Sequence, residues 1–355
     1  FASVDGGEDD SLEFGLTNLG ASFGDGTSDF VELIGGKGVL LSMPKGVALQ
    51  ASGDVSVSAP DVSLTGTMAL KINNVEVAFE RLVKVGDDVV DLKLDGGPYT
   101  KFDGANLNLV LAGQTLSGGF SFEKDSNGYV RGLVEDGGVT IADTGINIIT
   151  LSKINGSFEM TGKGSYGALQ VGKSTFAVPG VTMSGGTVTV QINTVDQEKT
   201  GDFDLGGVSA ETLTFGVGPY LRVDLKGSSL LLEGLMSNGV DAELIGNFAF
   251  EQSGGVTKVG MINVSSSVSV NEDSGTLEQG KGVMLVTGNG VAGILEGKLA
   301  VSLSGLDSGT TLILRFNNTG FDIEDTVQLG ADKFKILFGE SERNFLGVSL
   351  LGLSL

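Results

Sequence analysis

The chain repeats itself, and that property limits its folds more than any other. Gly36-Lys37-Gly38-Val39 returns as Gly280-Lys281-Gly282-Val283. In the same alignment Gly46-Val47-Ala48 meets Gly290-Val291-Ala292, and Asn73-Asn74 meets Asn317-Asn318. A middle copy runs through Thr161-Gly162-Lys163-Gly164 and closes on Ile192-Asn193, where the outer copies have Ile72-Asn73 and Phe316-Asn317. A second set of marks is interleaved. Gly97-Pro98-Tyr99 recurs as Gly218-Pro219-Tyr220, and Leu116-Ser117-Gly118-Gly119-Phe120-Ser121-Phe122-Glu123 as Leu244-Ile245-Gly246-Asn247-Phe248-Ala249-Phe250-Glu251. Gly15-Leu16-Thr17-Asn18-Leu19 echoes Gly260-Met261-Ile262-Asn263-Val264, and Phe345-Leu346-Gly347-Val348-Ser349-Leu350 echoes Tyr220 to Leu225. The step is about 120 residues, too long for one solenoid coil and long enough for many short strands. It divides the chain into a partial unit 1–74, complete units 75–194 and 195–318, and a partial unit 319–355.

Within the units, apolar residues alternate at period two. Positions 62, 64, 68, 70 and 72 share one face, as do 188, 190 and 192, and again 312, 314 and 316. Such alternation marks a sheet with one buried face and one wet face. Asn127-Gly128, Asn155-Gly156, Asn238-Gly239, Asn289-Gly290 and Gly96-Gly97 read as turns between strands. No window sustains a helical period. The expected fold is all-β: an elongated, antiparallel-dominated array of β repeats, with a parallel β-helix as the alternative.

Composition removes most chemistry. The 355 residues include no Cys, His or Trp, which excludes disulfides, thiolate sites and every Ser-His arrangement. A net charge of -22 repels nucleic acid and anionic lipid and attracts cations. No apolar run reaches the 18 or so residues of a membrane-spanning helix. Gly167 to Gly172-Lys173-Ser174 matches a phosphate-loop pattern, yet Pro179-Gly180 follows where a helix should open.

Gly-rich, acidic, Cys-free units carrying the Leu-x-Gly-x-Phe-x-Phe-Glu and Ile-Asn-Asn marks resemble the repeats of very large secreted bacterial surface proteins. The resemblance implies an extracellular or cell-surface location and a β-rich stalk, adhesin or filament, often beside calcium-binding modules. The calcium nonapeptide itself is missing, since Leu40 stands where Gly36-Lys37-Gly38 would need an Asp two residues on.

The residues that could carry chemistry are few. Asp87, Asp88 and Asp91 form one acidic set, and Asp322, Glu324 and Asp325 another. Calcium takes six to eight oxygens from loops of this kind, so it is the one cofactor left open, without EF-hand spacing. Asn73, Asn74, Asn193, Asn317 and Asn318 recur at strand ends, where Asn suits turns and ladders. Tyr99 and Tyr220 recur after Gly-Pro as turn aromatics. No catalytic residue is marked out, and the sequence points away from an enzyme. The expectation is a structural segment of a bacterial surface stalk, filament or matrix fibre, whose partners are neighbouring repeat units or identical subunits met head to tail. The rival is an adhesin module that binds carbohydrate or a surface, with calcium assisting.

Overall fold

Alternation requires strands, and the computed structural model consists of them almost throughout. It describes residues 12–85, 87–111, 113–124, 130–143, 146–177, 181–205, 210–233, 242–253, 256–270, 273–301, 310–329 and 332–351. The first strands are β1 (Leu12–Gly24), β2 (Asp29–Met43), β3 (Gly46–Ala59), β4 (Val62–Asn73), β5 (Phe79–Val85), β6 (Asp88–Leu94), β7 (Tyr99–Leu111) and β8 (Gln114–Lys124). There follow β9 (Val130–Asp143), β10 (Ile146–Thr161), β11 (Gly164–Phe176), β12 (Val181–Ser184), β13 (Thr187–Asn193), β14 (Lys199–Phe203), β15 (Glu211–Phe215), β16 (Tyr220–Leu232) and β17 (Ala242–Ser253). The last are β18 (Val256–Val270), β19 (Asp273–Thr287), β20 (Gly290–Val301), β21 (Thr311–Asn317), β22 (Ile323–Leu329), β23 (Asp332–Phe338) and β24 (Phe345–Leu351). Among the described residues there is no α-helix, only a 3-10 turn at Glu340–Glu342.

Eighteen strands form one open antiparallel sheet. They pair in chain order, β1–β2–β3–β4 and then β7–β8–β9. The pattern resumes as β16–β17–β18–β19–β20–β21–β24. Every register described is antiparallel, so the parallel β-helix alternative is set aside. Three hairpins, β5–β6, β14–β15 and β22–β23, leave the meander as separate two-stranded sheets. Each follows a strand that ends in the recurring Asn.

The chain divides into two compact units. The first is Phe1–Val139 with Lys153–Gln170 and Ile192–Pro219; the second is Thr140–Ser152 with Val171–Gln191 and Tyr220–Leu355. In the first, Phe23 of β1 meets Phe102 of β7 with ring centroids 4.6 Å apart, although β2, β3 and β4 lie between them in the sheet. The sheet therefore curls until its apolar face closes on itself. Phe122 and Phe158 make a similar edge-on contact across β9. The second unit has its own, Phe176 of β11 on Phe250 of β17.

A flat pleated sheet cannot curl this tightly, and β-bulges supply the bend by inserting an extra residue that raises the local twist. Registers shift between Leu16 and Leu19, Ile34 and Lys37, Gly104 and Leu107, Leu225 and Ser228, Ile262 and Val264, and Glu278 and Lys281. Positive-φ residues sit at these points: Asn18, Gly35, Asn106, Gly227, Asn263 and Gln279. Asp136 and Lys153 take the same conformation in β9 and β10. Recurrence in the sequence thus reports backbone geometry.

The other face of the sheet carries the hairpins. Val39, Leu41 and Ala48 pack under Phe79, Val83, Leu92 and Leu94. Val283, Leu285 and Ala292 pack in the same way under Val327, Ile336 and Phe338. Between them in sequence, Tyr166 takes the place of the alanine and packs against Phe203 and Phe215.

The period-two faces match expectation. Val62, Leu64, Met68 and Leu70 are buried together, as are Val188, Val190 and Ile192, while Ile72 and Leu312 are part-exposed. Of Asn289-Gly290, Asn289 lies in the turn between β19 and β20, and Gly290 opens β20. Asn155-Gly156 is not a turn. It lies inside β10, where Asn155 Oδ1 accepts a hydrogen bond from the backbone of bulged Asp136 at 3.1 Å. Gly156 is needed there because a Cβ would strike the backbone of Ala168 and Leu169 in β11. Asn127-Gly128 and Asn238-Gly239 lie outside the described residues. The phosphate-loop match, Gly167 to Ser174, falls within β11.

Candidate functional site

Of the recurring asparagines, Asn73, Asn193 and Asn317 come first, since their polar side chains are fully buried. Asn73 donates through Nδ2 to the carbonyls of Val77 (2.8 Å) and Asp95 (2.7 Å), the two feet of the β5–β6 hairpin, and accepts from Val75 N–H at 3.1 Å. Asn193 repeats this with Gln197 O, Gly216 O and Val195 N–H at 3.0, 2.6 and 2.9 Å. Asn317 repeats it with Phe321 O, Glu342 O and Thr319 N–H. Only a carboxamide offers two donors and an acceptor in one plane, so the residue type follows from the task.

The next residue ties each hairpin stem to the sheet. The side-chain oxygen of Asn74, Thr194 or Asn318 accepts from the N–H of Val47, Ser165 or Val291, whose carbonyl takes the backbone N–H in return. The facing glycines Gly46, Gly164 and Gly290 hold φ of 151°, 138° and 142°, and a Cβ on any of them would meet that oxygen. This explains why glycine and a polar residue recur together in each copy.

The acidic sets lie on two of the hairpins. Asp87 is in the exposed β5–β6 turn, Asp88 lies 3.9 Å from Lys37, and Asp91 contributes its backbone carbonyl to Gln50 Nε2 at 2.8 Å. In the other set Asp322 receives two bonds from Arg343 (2.8 and 3.0 Å), Glu324 faces Lys335 at 3.2 Å, and Asp325 faces Lys258 at 3.2 Å. The two sets do not gather into an oxygen cage. Among the described residues no group of three or more His, Cys, Asp or Glu could hold a metal ion.

The hydrogen bonds from Arg343 hold the Asp322 carboxyl below its usual range, and those from Arg315 do the same for Glu342. A lowered folded-state pKa means stability that is present at neutral pH and lost as pH falls through the lowered value. Acid below about pH 4 is therefore expected to loosen the β22–β23 hairpin at its base. NMR signals of residues 323–338 followed from pH 7 to pH 2 check this, and an unchanged hairpin at pH 2 counts against it.

Among the described residues, a groove of about 280 Å3 is lined by Gln191, Arg222, Asp224, Lys226, Asn247 and Ile262 among others. The bulge at Gly227 turns the strand beside it, and Asn247 Oδ1 accepts the Gly227 N–H at 3.0 Å. Arg222 bonds Asp224 at 2.9 Å and Gln191 Oε1 at 2.9 Å, and its guanidinium lies 5.6 Å from the centroid of the Tyr220 ring. In the first unit, Lys71 pairs with Asp103 at 3.0 Å while Lys101 lies over Tyr99. These tyrosines are thus half-buried, each packed beneath a cation. The pattern of planar amides, a carboxylate and cations can hydrogen-bond a polyhydroxylated ligand. Sequence reading missed this groove, because its residues come from β13, β16, β17 and β18.

No family model, no curated protein and no solved structure matches this chain.

Proposed function

We propose that the chain is an extracellular structural protein, a repeat segment of a bacterial surface stalk, filament or matrix fibre. The observation that carries this reading is the use made of the recurring residues. The asparagine clamps hold hairpins to the sheet, and the bulge residues and close-approach glycines shape it, so these recurring residues are used in building the fold. Repetition that serves shape suits an element whose output is shape. Negative-stain imaging of the native material tests it: rods or filaments with an axial repeat are expected, and dispersed particles without axial order would defeat the reading.

An adhesin is the second reading, favoured by the groove at Arg222 and Asp224. Glycan-array binding by this chain, reduced at least about tenfold by Asp224→Ala, is the expected result if it holds. A blank array removes it without touching the structural reading.

A further inference from the structure

The groove over β16 and β17 has spent its acceptors and kept its donors. Asn247 Oδ1 accepts the Gly227 N–H at 3.0 Å, and Gln191 Oε1 accepts from Arg222 Nη2 at 2.9 Å. A backbone N–H and a guanidinium can only donate, so both amide oxygens are fixed and both amide nitrogens are left as donors. Asp224 is occupied in the same way. Its two oxygens take Nε and Nη2 of Arg222 at 2.9 and 3.1 Å, and its side chain is only 16% exposed. Among the described residues, Arg222 Nη1, Gln191 Nε2, Asn247 Nδ2 and Lys226 Nζ find no acceptor.

The fold does not demand this set, because the first unit builds the same strands without it. Aligning Ile72 with Ile192, Tyr99 with Tyr220 and Phe120 with Phe248 sets Lys71 on Gln191, Lys101 on Arg222, Asp103 on Asp224, Ala105 on Lys226 and Gly119 on Asn247. The next strand places Glu135 opposite Gly119 and Ile262 opposite Asn247. An ion pair persists in that copy, with Lys71 3.0 Å from Asp103. A glutamate is also common to both, since Glu123 lies opposite Lys101 and Glu251 opposite Arg222. The two amides, Lys226 and the 46% exposed Ile262 belong to the second unit alone. Exchanging Lys71, Ala105 and Glu135 for Gln191, Lys226 and Ile262 leaves that copy more positive by one charge.

We infer that this groove binds a saccharide carrying a carboxylate, with Arg222 Nη1, Lys226 and the two amide nitrogens donating to the acid group and its neighbouring oxygens, and Ile262 under the ring. A carboxylate only accepts, which is what a site of unspent donors lacks, and its bonds to cations are the stronger kind. A hydroxyl must also donate, and the acceptors here are occupied. Asp224 and Gln191 are positioning residues that hold the guanidinium. A volume of about 280 Å3 is at the small end of ligand pockets and suits one ring rather than a run of chain. The inference rests on the adhesin reading and deepens it by naming the ligand class.

The test uses the full chain on an array of galacturonate, glucuronate and mannuronate trimers, their methyl esters and the neutral parent trimers at matched density. At least one uronate is expected to bind at least about tenfold more tightly than its own methyl ester, with the gap shrinking as sodium chloride rises from about 50 to about 500 mM. The first unit supplies the variant. Lys226→Ala combined with Asn247→Gly copies residues that the matching strands already accept, so the circular-dichroism spectrum should hold while uronate binding falls at least about tenfold. Lys101→Ala, at the matching place in the first unit, should leave that binding unchanged. Equal binding of acid and ester, or a double variant that binds uronate as the parent does, would overturn the inference. Neutral trimers bound by the parent and lost in Asp224→Ala would keep the adhesin reading and remove this ligand class. A blank array removes both.

Discussion

Asn193→Ala should destabilise the β14–β15 hairpin by roughly 3–5 kcal/mol. The substitution strips two part-buried carbonyls and one buried N–H of their partner, and each orphaned group costs about 1–3 kcal/mol. Asn193 is fully buried and reaches the carbonyls of Gln197 and Gly216, one at each foot of the hairpin. Loss of the clamp should free both feet while the sheet strand β13 keeps its ladder. Amide exchange in residues 199–203 and 211–215 is therefore expected to rise by about two orders of magnitude or more. Asn193→Asp should be as damaging at neutral pH, since a carboxylate would face the same two carbonyls. It should recover partly in acid, because only the protonated form can donate. Asn289→Ala, at the exposed β19–β20 turn, serves as the control and should stay within about 0.5 kcal/mol of the parent. Unchanged exchange in Asn193→Ala would show that hydrophobic packing alone holds the hairpins.

The second large effect is expected in the curl of the sheet. Phe102→Ala removes the ring that meets Phe23 from across three intervening strands and faces Phe122 in the adjacent strand. Phe to Ala in a packed core costs about 3–5 kcal/mol, including the cavity left behind. The curl fixes both walls of that cavity through bulged backbones, so collapse should be poor and the cost should fall toward the upper end. Urea unfolding followed by fluorescence or circular dichroism should show a lower midpoint with an unchanged slope. Val110→Ala, on the exposed face of the same strand, should cost less than about 0.5 kcal/mol. A cost below about 1 kcal/mol for Phe102→Ala would mean that the two strands do not share a tight core.

Strand content, the direction in which side chains face and the existence of recurring marks were all determined by the sequence alone. The physical reason is that period-two alternation is local: Val188, Val190 and Ile192 must share a face whatever the rest of the chain does. The recurrence of Asn73, Asn193 and Asn317 was equally plain, but their role was not. One partner of Asn73 lies 22 residues away, on the far foot of a hairpin that alternation cannot place above the sheet. The tertiary structure alone decided that these side chains clamp hairpins. It also paired Asp322, Glu324 and Asp325 with Arg343, Lys335 and Lys258 rather than bringing them to one point. Asn155-Gly156 shows the same boundary. The dipeptide suits a turn, yet a bulge in the neighbouring strand and the close backbone of β11 give both residues a use within a strand. Local propensity names the conformations a residue accepts, and only the curled sheet, which brings distant strands together, selects among them.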